Sequence, residues 1–404
     1  MDAVAAVLAA VGWVAGGVLF GTAVYSAALY ALGSSVALDL HPAADGPGVT
    51  AVVTSPMFSG ALAETLRRTD EVDYPGLDIL LALGSGRAEG GLETAHRVDM
   101  FDPGGPGGKA HALNRAAQRA KGELLLLLDE DSRVDPDCVR AMLPHMQDEQ
   151  VWAVVGRPYP TNATGPLQRT LEMEASGWWA MARARDRLGL VIPANGFFSL
   201  VRRSSLEGLS DGRVWDERAL AEDTDLSLRQ GARGLRTRVS PARVGIEAPS
   251  SLRALARQRL RWYKGMLDAL WKNRGAVARL PAAKAADVAL DLISPLAPGA
   301  FVVLLLLSPL WPALVLPVLL AAASLYLASA WAASSGVKEG RAGVLLFSIP
   351  YALVQGVVAL AALGAFLFRV NVRWERTPKA GDAPTGREAA PTPGAPSRPQ
   401  VSSQ

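Results

Sequence analysis

The sequence predicts an α/β domain with a mostly parallel sheet, inserted between transmembrane helices. Three observations carry that expectation. Long uncharged apolar runs stand at both ends of the chain. A polar middle of residues 48–280 separates them. Within that middle, strand-sized apolar runs alternate with helical patterns, as in βαβ units.

The apolar runs come first. Half of the 404 residues are hydrophobic, a share high enough to point to membrane segments. Ala3 to Leu38 carries no charge, Val288 to Ala333 carries only Asp291, and Gly343 to Phe368 carries none. A bilayer core takes about 20 apolar residues per helix. The first run therefore predicts one span, the second two spans divided near Ser308-Pro309, and the third one more. A cleaved leader is a poor description of the first run, which lacks a basic start and is longer than an h-region. An uncleaved anchor is expected.

The polar middle is long enough for one domain with its own core. Gly48 to Thr54, Asp78 to Leu83, Glu123 to Leu128, Val151 to Val155 and Phe197 to Val201 are expected strands. Leu62 to Arg68 and Ala110 to Lys121 are expected helices. Leucine runs without alternation suit strands covered on both faces. Ser250 to Asn273 mixes leucines and aromatics with Arg253, Arg257, Arg259, Arg261, Lys264 and Lys272, which predicts an amphipathic basic helix at a membrane interface. The expected division is 1–47 as anchor and linker, 48–249 as the catalytic domain and 250–284 as the interface helix. Residues 285–368 hold the C-terminal membrane helices, and 369–404 a basic stretch followed by a Pro-, Gly- and Ser-rich disordered tail.

Composition also excludes classes. One cysteine, Cys138, leaves no internal disulfide and no cysteine-based zinc site. A net charge of +3 is too small to suggest a nucleic-acid partner.

Four short stretches can carry chemistry. In L-L-L-L-L-D-E-D-S, Asp129 and Asp131 follow a buried strand, at the edge where α/β sheets bind ligands. Two carboxylates two residues apart can approach one hard cation, Mg²⁺ or Mn²⁺. The same residues also suit a turn ahead of Pro136. In G-G-P-G-G-K-A-H-A-L-N, a glycine-rich turn opens a helix and Lys109 adds a charge for phosphate, although a flexible loop reads the same. Glu222 and Asp223 are first-turn acids of a helix, and Asp223 can take a proton as a general base. Gln258, Arg261 and Trp262 stand at i, i+3 and i+4, on one helical face. Arg261 there can neutralise a diphosphate and Trp262 can stack on a sugar ring, or both can serve a membrane interface.

In this order the motifs resemble the membrane-bound family 2 glycosyltransferases, which include the cellulose, chitin, hyaluronan and poly-N-acetylglucosamine synthases and ceramide glucosyltransferase-like enzymes. The resembling text is K-A-H-A-L-N, D-E-D, Glu222-Asp223, Q-R-L-R-W and the closing R-W-E-R-T-P at Arg373 to Pro378. The resemblance implies a GT-A-type domain facing the cytosol from a multi-pass cell-membrane protein. It implies inverting, metal-dependent transfer from a nucleotide sugar, such as a UDP-sugar, to a growing polysaccharide. A membrane lipid of ceramide or hopanoid type is the alternative acceptor, and a non-catalytic relative is the alternative class. Asp131 would be the main metal ligand, with Asp129 shared between metal and nucleotide. Lys109, Asn114 and Arg261 would hold the nucleotide sugar. Asp223, with Glu222, would be catalytic. Gln258, Trp262, Asn195 and Gly196 would line the acceptor side. A homo-oligomer or an accessory partner could complete an export path. Two departures stand out: P-M-F-S-G replaces P-x-x-N-E at Pro56 to Gly60, and Ala82-Leu83 replace the acids before Gly84-Ser85. Both alter the nucleoside half of the donor site.

One conflict remains in the membrane part. Lys338 and Arg341 precede the last apolar run, and Arg369, Arg373, Arg376 and Lys379 follow it. The positive-inside rule places both groups in the cytosol, which one crossing between them cannot satisfy. Either that run lies in the interface or one basic group breaks the rule.

Overall fold

The computed structural model describes residues 2–38, 42–43, 45–84, 98–104, 108–207, 209, 214–309, 315–316, 319–320, 322–324, 326–327, 330 and 341–372. The R-W-E-R-T-P stretch, the tail, Ser85, Lys338 and most of the second crossing expected within 288–333 lie outside these residues.

The sheet forms from residues whose side chains are buried on both sides. Its eight strands are β1 (Val49–Ser55), β2 (Leu77–Leu83), β3 (Val98–Phe101), β4 (Leu124–Asp129), β5 (Arg133–Val134), β6 (Val151–Pro160), β7 (Phe198–Arg202) and β8 (Arg236–Ile246). They lie in the order β3-β2-β1-β4-β7-β6-β8-β5. The β1–β2, β1–β4, β2–β3 and β6–β8 pairs are parallel, whereas β7 runs antiparallel to β4 and β6. Leu124, Leu126 and Leu128 enter one core layer with Leu62, Leu66, Val139 and Met142. Leu125 and Leu127 enter the other with Leu113, Trp152, Trp179 and Trp215. Two covered faces explain why β4 reads as unbroken leucine.

Helices α1 (Asp2–Ser34), α2 (Gly60–Asp70), α3 (Gly108–Arg119), α4 (Cys138–Met142), α5 (Pro166–Leu188) and α6 (Arg203–Leu206) connect and flank these strands. They are followed by α7 (Glu222–Ala232), α8 (Leu252–Val277), α9 (Ala282–Ile293), α10 (Ala297–Leu307) and α11 (Arg341–Leu367). Among the described residues, three helical stretches are long and apolar enough to cross a membrane: Ala6–Ser34, Ala282–Leu307 and Ala342–Leu367.

Small residues let the anchor meet the domain. A Cβ on Gly33 of α1 would lie 1.7 Å from the Ala180 carbonyl oxygen of α5, so the two backbones touch. An ionic cluster seals the same junction. Arg185 of α5 donates to Asp287 at 3.2 Å and to Asp291 at 2.7 Å, and also to the Tyr25 hydroxyl at 2.7 Å. Arg185 is buried, as a guanidinium can be when its donors are met.

The last helix runs beside α8 rather than away from it. Tyr351 meets the α8 segment at Leu255, while Val358, Ala359 and Ala362 pack on Tyr263. Further along, Phe366 contacts Trp271 edge to face. Leu346, Ile349, Leu353 and Val357, spaced three to four residues apart, are exposed along the opposite side of α11.

Candidate active site

The site forms at the carboxyl end of β4. Residues Thr54 of β1 and Asp129 of β4 are register partners, and Ser55 is level with Leu83 of β2. The chain crosses from β1 toward β2 on one side and reaches β4 on the other. Asp129 therefore stands at the topological switch point, where open α/β sheets hold ligands.

Lys109, in the first turn of α3, points into this edge. Its Nζ lies 2.5 Å from Asp129 Oδ1 and 3.9 Å from Glu222 Oε1. Burial opposes its charge, but Asp129, Glu222 and Asp223 more than offset that and hold the ammonium above its ordinary range. The same burial pushes Glu222 up to about 7, against the pull of Lys109.

Glu222 and Asp223 open α7, where carboxylates are favoured by the helix dipole. The Gly196 N–H donates to Asp223 Oδ2 at 3.3 Å, and the Thr224 N–H donates to Asp223 Oδ1 at 2.7 Å. A Cβ on Gly196 would lie 2.9 Å from Lys109 Nζ, so a side chain there would make the lysine tip shift. Asn195 accepts from the Phe198 N–H at 2.9 Å through Oδ1, while its amide nitrogen is buried without a partner. From α8, Arg261 feels the same carboxylates. Burial lowers its pKa, and Glu222, Asp129 and Asp223 pull it back. Lys109, Asp129, Glu222, Asp223, Gly196 and Arg261 thus share one neighbourhood.

Other expected residues sit differently. Asn114 is turned to the fold: its amide nitrogen donates to the Trp215 carbonyl at 2.8 Å and its oxygen accepts from the Trp215 N–H at 2.9 Å. It pins the 214–217 loop. Trp262 packs with Tyr263, Val358 and Ala359 where α8 meets α11, and Gln258 is half-buried on the same helix.

The two aspartates of D-E-D diverge. Asp129 pairs with Lys109, while the buried Asp131 accepts from the Glu247 N–H at 3.1 Å through Oδ2. Between them, Glu130 accepts from the Ser55 hydroxyl at 2.6 Å and so faces the loop after β1. Among the described residues no group of three His, Cys, Asp or Glu converges as a metal site. The donor chemistry nonetheless fits a hard divalent cation, which takes one or two carboxylates and completes its shell with water and phosphate. The Glu247 carboxylate beside Asp131 also keeps a buried oxygen, Oε2, without a partner.

Sequence reading missed the parts that join these motifs. Asp225, fully buried, accepts from Asn273 at 2.9 Å and pairs with Lys272 at 2.9 Å and Arg229 at 3.0 Å. Lys272 also reaches Asp216 at 2.7 Å. One loop, 214–217, therefore ties α3 to α8, and Asp225 ties α7 to α8. The third acid of E-D-T-D was the available signal, since an acid three residues into a helix that is wholly buried needs a cation.

A family profile described as glycosyl transferase family group 2 matches residues 124–369, more than half of the chain. Poly-beta-1,6-N-acetyl-D-glucosamine synthase of Staphylococcus aureus strain MSSA476 is 26% identical over 235 residues, 56% of this chain and 56% of that protein. The probable glycosyltransferase YdaM of Bacillus subtilis strain 168 is 32% identical over 162 residues, 39% of this chain and 38% of that protein. The chain thus spans about half the length of the first of these relatives and less of the second. In overall fold it resembles the mannosyltransferase PcManGT from Pyrobaculum calidifontis, solved in complex with GDP-Man and Mn²⁺. The TM-score is 0.62 at 18% identity, covering 90% of this chain and 100% of the other.

Proposed function

The chain belongs to the glycosyl transferase family group 2, and on that premise we propose that it moves a sugar from a nucleotide sugar to a growing polysaccharide at the cytosolic membrane face. The observation that carries this reading is the convergence of Lys109, Asp129, Glu222, Asp223 and Arg261 at the mouth of β4. The named activity of the Staphylococcus aureus relative supports a polysaccharide product.

In this reading Lys109 and Arg261 hold the diphosphate and lower the charge that develops on it as it leaves. Asp223, held by the Gly196 and Thr224 N–H groups, takes the proton of the acceptor hydroxyl. The acceptor oxygen bonds to the anomeric carbon as that carbon's bond to phosphate breaks, and attack from the opposite face inverts the centre. The nucleoside diphosphate carries away the electron pair. Glu222, beside Lys109, sets the charge balance behind the base. Asp131, with Asp129, would hold Mg²⁺ or Mn²⁺, which supplies Lewis-acid charge for the diphosphate. Gly196 and Asn195 would line the sugar-facing wall, with Gln258 and Trp262 toward the acceptor.

The membrane arrangement belongs to the same proposal. The basic helix α8 cannot lie in hydrocarbon, and α11 follows it for the length of residues 259–271, about 18 Å at helical rise. An in-plane α11 lets both basic groups around it face the cytosol, which resolves the conflict met in the sequence.

The test is nucleoside diphosphate release by detergent-solubilised protein from a panel of nucleotide sugars. Metal-dependent release with a polymeric product supports the reading. A single-sugar glycolipid replaces the polysaccharide by a lipid acceptor, and silence with every donor sinks the enzymatic reading. Asp223→Asn is expected to lower transfer by about 10²- to 10⁴-fold.

A further inference from the structure

Arg259 lies inside the Q-R-L-R-W run but was not expected to matter. It is 7% exposed, and its Nη2 donates to Glu174 Oε2 of α5 at 3.0 Å. The Tyr351 hydroxyl of α11 donates to the same oxygen, and Gln355 Nε2 donates to Tyr351 Oη at 2.8 Å. The Arg259 guanidinium also covers the Trp262 ring, 4.4 Å from its centroid. Three helices are therefore joined at one partly exposed carboxylate that pairs with a buried guanidinium, within one turn of Arg261 and Trp262.

Such a cluster is a poor source of stability. An ion pair with one partner open to solvent contributes little, so replacing it by apolar groups of similar volume is expected to be close to neutral. Its distinctive property is geometry: a planar fork held at one end and stacked on an indole leaves α8 little freedom to roll. A roll of about 10° would carry a side-chain tip about 6 Å from the helix axis through about 1 Å. Misplacement of about 1 Å can cost about 10²-fold in rate.

We propose that Arg259 is a positioning residue: clamped by Glu174 and Tyr351, it fixes the roll of α8 and holds the Trp262 ring at the acceptor end. This rests on the transfer reading above. It makes α11 a working part of the site, since Tyr351 and Gln355 complete the clamp from that helix.

The test uses full-length protein in detergent with UDP-N-acetylglucosamine and GDP-mannose as donors. A β-1,6-linked N-acetylglucosamine tetramer and water serve as competing acceptors. The variants are Tyr351→Phe, Glu174→Gln and the apolar double replacement Arg259→Met with Glu174→Leu. The expected result is an acceptor KM raised about tenfold, with a donor KM within about twofold and more donor lost to water. The double variant is expected to melt no lower than wild type, which separates positioning from folding. An unchanged acceptor KM and water partition in the double variant overturns the proposal. So does a loss of every kinetic constant in step with melting temperature. A wild-type chain that turns over neither these donors nor any other of the nucleotide-sugar panel, to sugar or to water, overturns the transfer reading and the clamp with it. Wild-type turnover beside unaltered variants overturns the clamp alone.

Discussion

At the scale of single residues, the site is a charge balance between one lysine and three carboxylates. Glu222 illustrates it. Burial raises its pKa to about 7 from an ordinary 4.5, and Lys109 opposes the rise. Between those values the folded chain holds a proton that the unfolded chain has released. The stability tied to this proton is present below 4.5 and is lost as pH rises through 7. Glu222→Gln is therefore expected to raise the melting temperature relative to wild type more at pH 8 than at pH 5. Equal shifts at both pH values would show that Glu222 does not titrate there. Asp131 gives the metal prediction. Chelation by EDTA is expected to abolish transfer and added Mn²⁺ to restore it. Asp131→Asn is expected to need a higher Mn²⁺ concentration for half-activity, read from a titration of rate against metal.

At the scale of elements, legibility followed burial. Leu124 to Leu128 could be read as a doubly covered strand, because nothing but two apolar layers accommodates five successive leucines. Asp129 could be placed at its open end for the same reason. The bonding of Asn114 to Trp215 could not be read, since an amide serves a backbone turn or a ligand equally well and the partner is 101 residues away in sequence. Arg259 was hidden by its neighbours: in a run with three arginines nearby, the sequence does not tell which guanidinium is buried. The partners that single it out, Glu174 and Tyr351, are distant in sequence and come from two other helices. The same holds for Gly33, one small residue among many in α1. Gly33→Val is expected to cost at least about 1–3 kcal/mol by overpacking against Ala180. Gly17→Ala, with nothing within 4 Å of the added Cβ, is expected to be neutral or mildly stabilising. Thermal melts of the two variants in detergent compare them directly, and equal melting temperatures would deny the α1–α5 contact.

At the scale of the whole molecule, the sheet and the apolar helices meet through α5 and α8. Glu174 and Arg185 on α5 each anchor a polar cluster that reaches an apolar helix, partly exposed at Glu174 and buried at Arg185. The arrangement predicts sidedness. Cys138, the chain's one cysteine, is fully buried, so an introduced thiol reports alone. Cysteines placed at Ala342 and Arg369, either side of α11, are expected to react with an impermeant maleimide from the same face of the membrane. They should match a cysteine at Arg187 of the domain. Labelling of Ala342→Cys and Arg369→Cys from opposite faces would make α11 a crossing and return the positive-inside conflict.

The exposed row of Leu346, Ile349, Leu353 and Val357 on α11 has a physical consequence for turnover. With α11 in the membrane interface as proposed, that row would face the acyl chains, while the same helix carries Tyr351 to Glu174, the partner of the Arg259 that covers Trp262. The seating of an in-plane amphipathic helix depends on lipid composition and curvature. In reconstituted protein, lipid composition is therefore expected to shift the acceptor KM, with no ligand bound and no residue changed.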